Sequence, residues 1–151
     1  MYTTILTLHS WLRWVALIAG VAATIAAVRT DTAVAGGTRA DRWGLVLMIT
    51  LDIQMLLGLV LYFTHTLPSI QGHMAEVMKD AGARFFAVEH ITMMLGAVVI
   101  THVGRILARK TANADARRMK LFVCFGIATA FMFLAIPWPG LRAGRPLFRV
   151  P

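Results

Sequence analysis

Four long apolar runs constrain this chain more than any other feature. They extend from Ile5 to Val28, Trp43 to Thr66, Ala83 to Ala108 and Met119 to Trp138. At 1.5 Å of rise per residue, a helix of about 20 residues crosses the roughly 30 Å hydrocarbon layer of a bilayer. Inside that layer no water satisfies the backbone, so each run has to close its own hydrogen bonds as a helix. The sequence therefore predicts an all-α chain, an integral membrane four-helix bundle forming a single domain over residues 1–151. The connections "RTDTAVAGGTRADR", "LPSIQGHMAEVMKDAG" and "RKTANADARR" are short, and "PWPG" stops the fourth run because proline cannot continue a helix. The first run has no basic segment ahead of it and is longer than the apolar part of a signal peptide, so it is expected to be retained.

The charge pattern supports a membrane reading. Only 15% of residues are charged, where a soluble domain carries about 25%. The net charge of +8 does not form a nucleic-acid patch, because the basic residues sit in short loops between the runs. Arg29, Arg39, Arg42, Arg105, Arg109, Lys110, Arg117, Arg118 and Lys120 flank the first and third loops, whereas the middle loop carries Lys79 and Arg84. The positive-inside rule then puts both termini on the outer side and the first and third loops inside; the resemblance described below makes that membrane a bacterial inner membrane and the outer side periplasmic. The tail arginines Arg142, Arg145 and Arg149 pull weakly the other way, and the tail is expected to lie along the membrane surface. Cys124 is a single thiol in an apolar run and reads as a small core residue.

Against this background the polar residues inside the runs stand out. Each ionisable group at depth costs a few kcal/mol and marks a functional or structural site. His9, His65 and His90 come from three different helices and all fall in the outer leaflet, with Glu89 at the level of His90. His102 lies about 18 Å below His90, twelve residues further along. His9 and His90 match best in depth, and two imidazoles from different helices at matched depth are how a bundle holds haem b. In that reading His9 and His90 are the axial ligands, His65 is the alternative partner, and Arg13 neutralises a propionate; otherwise Arg13 pairs with Glu89 or a backbone carbonyl. A second haem site would need His102, completed at best by Met48. Glu89 is expected to hydrogen-bond a neighbouring histidine or Arg13. A single metal ion held by His9, His65, His90 and Glu89 is the competing reading. Adjacent Glu89 and His90 diverge by about 100°, which disfavours shared chelation. Asp52, mid-membrane on the second helix, is a candidate proton site or a partner of His102.

The strings "TLHSWLRW", "MKDAGARFFAVEH", "THVGR" and "IPWP" resemble a family of small four-helix bacterial membrane proteins described as cytochrome b-like. The resemblance covers nearly the whole chain. His9, Arg13, Glu89, His90 and His102 fall within the matching strings and His65 falls outside them. The chain is also broadly similar to di-haem four-helix b-type cytochromes, but lacks four ligands in two layers. The resemblance implies an electron carrier, with haem b as cofactor, a quinone pool and an outer-side redox protein as partners, rather than an enzyme with its own nucleophile. A cofactor-free accessory or assembly subunit of a respiratory complex, and a small metal- or proton-handling membrane protein, are the alternatives.

Overall fold

The computed structural model describes residues 1–29 and 37–148. Every regular element among them is helical: α1 (Tyr2–Val28), α2 (Arg39–Ile70), a short α3 (Met74–Val77), α4 (Ala81–Arg109) and α5 (Ala114–Leu134). Three of these, α1, α2 and α4, are long and apolar enough to cross a membrane. α5 has 21 residues, but Asp115, Arg117, Arg118 and Lys120 load its first two turns. Most of the first loop, and Arg149 in the tail, lie outside the described residues.

The helix ends have local causes. α2 begins at Arg39 because Thr38 and Asp41 form a capping box, each side chain bonding the other's backbone N–H. α5 begins at Ala114, earlier than the apolar run, because Asn113 Oδ1 accepts the N–H of Ala116 at 2.9 Å. It ends at Leu134 rather than Trp138. Pro137 disfavours helical backbone at Ile136, the residue before it, so the stop takes effect ahead of "PWPG".

The long helices pack in the cyclic order α1, α2, α4, α5, each against two others. α1 and α4 therefore face each other across the diagonal. Small residues line the contacts: Ala16, Ala19, Ala23 and Ala27 of α1 are buried, as are Ala97 of α4 and Ala128 of α5. Gly104 of α4 lies directly against Cys124 of α5, where any Cβ would collide with the cysteine side chain. Such close backbone approach is how small residues pack helices when apolar burial cannot drive association. Large apolar side chains point outward instead, among them Ile18, Leu56, Leu95 and Phe133.

At one end a polar cluster ties three helices. Arg117 Nη2 of α5 donates to both carboxylate oxygens of Asp41, at 2.6 and 2.7 Å. Buried Arg105 of α4 donates to the Asp41 backbone carbonyl at 2.9 Å. Asp41→Ala removes the carboxylate half of the capping box and leaves Arg117 without its carboxylate. Hydrogen bonds to charged groups contribute about 1.5–3 kcal/mol each, so a loss of about that size is expected, read as a lower midpoint in detergent unfolding. Thr38→Ala should cost about 1 kcal/mol.

At the opposite end the helices depart from regular geometry. Residues Tyr62–Thr66 of α2 and Phe85–Glu89 of α4 form π turns, each holding one extra residue. The Tyr62 hydroxyl donates to the Ala87 carbonyl at 3.2 Å and joins the two. The tail folds back over this end. Gly140 turns the chain at φ +90°, Arg145 N–H donates to the Pro137 carbonyl at 3.0 Å, and Phe148 stacks on Trp14 with ring centres 5.6 Å apart.

Candidate functional site

A cavity of about 390 Å³ opens between α1, α2, α4 and the tail at the π-turn end. That size falls in the range of small-molecule and cofactor sites, about 300–1,000 Å³. His9, Arg13, His65 and His90 line it, with Arg145 from the tail.

His9 and His90 reach into it from the diagonal pair of helices, with ring centres 6.2 Å apart and planes at 65°. Each ring is set by a neighbour. His90 Nδ1 lies 2.8 Å from the Ala135 carbonyl just beyond α5. A carbonyl only accepts, so Nδ1 carries the proton and donates, and the neutral ring keeps its lone pair on Nε2. The backbone at His9 is clamped by Gln54, whose side-chain amide donates to the His9 carbonyl at 2.8 Å. The His9 ring lies against Gly58 of α2, where a Cβ would sit 3.2 Å from His9 Cε1. His9 Nδ1 is enclosed and, among the described residues, meets no hydrogen-bond partner. Thus two imidazoles converge, one with a fixed donor and one with an enclosed nitrogen that no described residue takes up.

Arg13 lines the same cavity. Its Nη2 donates to the Leu147 carbonyl of the tail at 2.6 Å, and its guanidinium lies 5.1 Å from the centre of the Trp14 ring. Arg145, which sequence reasoning did not single out, lies over Phe86 at 5.2 Å and adds a second cation to the lining. Its signal was weak, a basic residue in a proline-rich tail without periodicity.

The remaining candidates have partners of their own. Glu89 does not bond a histidine or Arg13; Arg84 Nε donates to its Oε1 at 2.7 Å. The spacing explains this, because a π turn aligns residues five apart. His65 is exposed at the cavity mouth and packs its ring on Tyr2, with centres 3.9 Å apart. His102 is not part of the cavity and meets Asp52 instead, Nε2 to Oδ2 at 3.5 Å. Its Nδ1 lies 3.0 Å from the Val98 carbonyl and donates to it. The expectation that Asp52 partners His102 matches this contact, and the inner second haem site on His102 gains no further ligand from it. Among the described residues, no three His, Cys, Asp or Glu side chains gather closely enough to hold a metal ion. The four-residue metal reading of His9, His65, His90 and Glu89 therefore has no assembled donor set.

No protein-family model, curated protein or solved structure matches the chain. The functional reading rests on its own residues.

Proposed function

We propose that this chain is a multi-pass protein of a bacterial inner membrane, a four-helix bundle with both termini on the periplasmic side. The outward apolar side chains and the three long apolar helices support that placement. The basic clusters flanking the first and third loops support the orientation. Within it, we propose a b-type cytochrome-like electron-transfer protein or redox-complex subunit, with one haem b held between His9 and His90. The likeness of its "LHSWLRW" and "RFFAVEH" strings to small cytochrome b-like membrane proteins belongs to the same proposal.

The observation that carries the reading is the spacing of the two rings. Haem iron, if bound here, would be held by imidazoles reaching it from the facing helices of the bundle. The ring centres of His9 and His90 stand 6.2 Å apart. His90 also has the orientation of a metal-ligating histidine, with Nδ1–H spent on a carbonyl and Nε2 left as the base. Arg13 and Arg145 supply the positive charge that two propionates need, and Gly58 leaves the His9 ring room to lie against α2. Haem bound there would supply a one-electron iron couple, whose potential its axial ligands and burial set. The chain's own part is to fix the two ligands, keep water out under the tail and offset carboxylate charge. Electrons would pass between a quinone pool and an outer-side redox partner, and the cavity end faces that side.

The test is a dithionite-reduced minus oxidised spectrum of detergent-purified protein, with a haem count. A b-type α-band at one haem per chain is expected. A colourless protein expressed with ample haem would overturn the reading in favour of a cofactor-free accessory subunit.

A further inference from the structure

We propose that the outer surface of α2 and α4 around Asp52 and His102 is the interface of a two-fold dimer of this chain within the bilayer. The inference rests on the membrane placement above and not on the haem.

Asp52 and His102 are each more than a third exposed, at 43% and 38% of their side-chain surface. They sit in the groove between α2 and α4, near the middle of α2 and toward the inner end of α4, two helices long enough to span. On either side stand ridges of exposed apolar residues, Ile49, Ile53 and Leu56 on α2 and Leu95, Val99 and Val103 on α4. Acyl chains offer no hydrogen bond, so a polar pair on this surface is costly unless protein covers it.

The pair is also unfinished. His102 Nδ1–H is spent on the Val98 carbonyl, so Nε2 has at most one proton to share with Asp52. The 3.5 Å separation is long for that bond. Among the described residues Asp52 has no other side-chain partner. A carboxylate accepts at about four positions, which leaves most of its capacity unmet.

A second copy completes it. The acid and the base lie at one depth, side by side. A two-fold axis along the membrane normal preserves depth and sets each Asp52 against the other copy's His102. The patch is self-complementary in charge, as an isologous interface requires. The result is a ring of two carboxylates and two imidazoles, closed to lipid by the flanking ridges. A helix from an unrelated protein would need the same acid–base pair in mirrored order.

The test is disulfide cross-linking in native membranes on a Cys124→Ser background. Paired Ile53→Cys and Val99→Cys should give a homodimer band, because the axis sets the α2 ridge of one copy against the α4 ridge of the other; either change alone, and Ile18→Cys on α1, should give none. Asp52→Ala added to the paired variant should abolish the band. The exchange Asp52→His with His102→Asp should restore it, which separates loss of the interface from loss of fold. Equal cross-linking by Ile18→Cys and the paired variant, persistence of the band in Asp52→Ala, or adducts only with other proteins would each overturn the dimer. An alkaline carbonate wash checks the premise separately: release into the soluble fraction overturns the membrane placement itself. Retention without a cross-link between residues 53 and 99 overturns the dimer alone.

Discussion

Replacing His90 with alanine is expected to strip the protein of haem while leaving its helices inserted and paired. The argument follows from what holds the ring. His90 Nδ1 is tied to the Ala135 carbonyl, so the imidazole is oriented by α5 while it is presented by α4. Even an outer partner of a metal ligand is worth about 10–100-fold in affinity, and the ligand itself is worth more. Haem content should therefore fall by more than about tenfold, with helical circular dichroism unchanged. His9→Ala should do the same. His65→Ala should leave the spectrum intact, because that ring packs on Tyr2 at the cavity mouth. An undiminished α-band in His90→Ala would sink the axial assignment, and equal losses in all three variants would point to unfolding.

The second large effect is expected at Gly58, a residue with no chemistry of its own. A Cβ there comes within 3.2 Å of His9 Cε1. Gly58→Ala requires the ring to give by a few tenths of an ångström and should be mild. Gly58→Ile drives a branched side chain into the space that the imidazole occupies. Overpacking of this kind costs about 1–3 kcal/mol. If that cost falls on the bound state alone, haem affinity drops by about 5- to 150-fold. A graded loss, small for alanine and large for isoleucine, is the expected pattern in haem titrations. No difference between the two would mean that the His9 ring does not need its place against α2.

Much of this site was legible as depth and little of it as angle. Counting residues at helical rise set His9 and His90 at one level, and their rings do meet at 6.2 Å. The same count set Glu89 beside them, yet Glu89 turns to Arg84. Periodicity at 100° per residue assumes an uninterrupted α-helix, and the Phe85–Glu89 turn breaks that assumption just before His90. Nothing in "FFAVE" announces an extra residue in the turn. His65 lies inside a second such turn, Tyr62–Thr66, and lines the cavity at its mouth. Arg145 was hidden for a different reason. Its position depends on a chain reversal after Pro137 and Gly140, and a tail without periodicity does not reveal where it folds back. The pairing of Asp52 with His102 was within reach because both lie on uninterrupted helical stretches, where counting still holds.

The diagonal placement of α1 and α4 also bears on how the protein is made. His9 and His90 are 81 positions apart in the chain. At about 5–20 residues per second, roughly 4–16 s of synthesis separate them. During that interval α1 and α2 can already pair in the membrane, with Gln54 holding the backbone at His9, while the opposite wall is still on the ribosome. The tail that closes the cavity, and the Leu147 carbonyl that engages Arg13, emerge after all four long helices. If haem is bound as proposed, loading would have a natural window in biosynthesis, after α4 arrives and before the tail folds over. A supply of haem at that stage would couple cofactor delivery to the closing of the cavity.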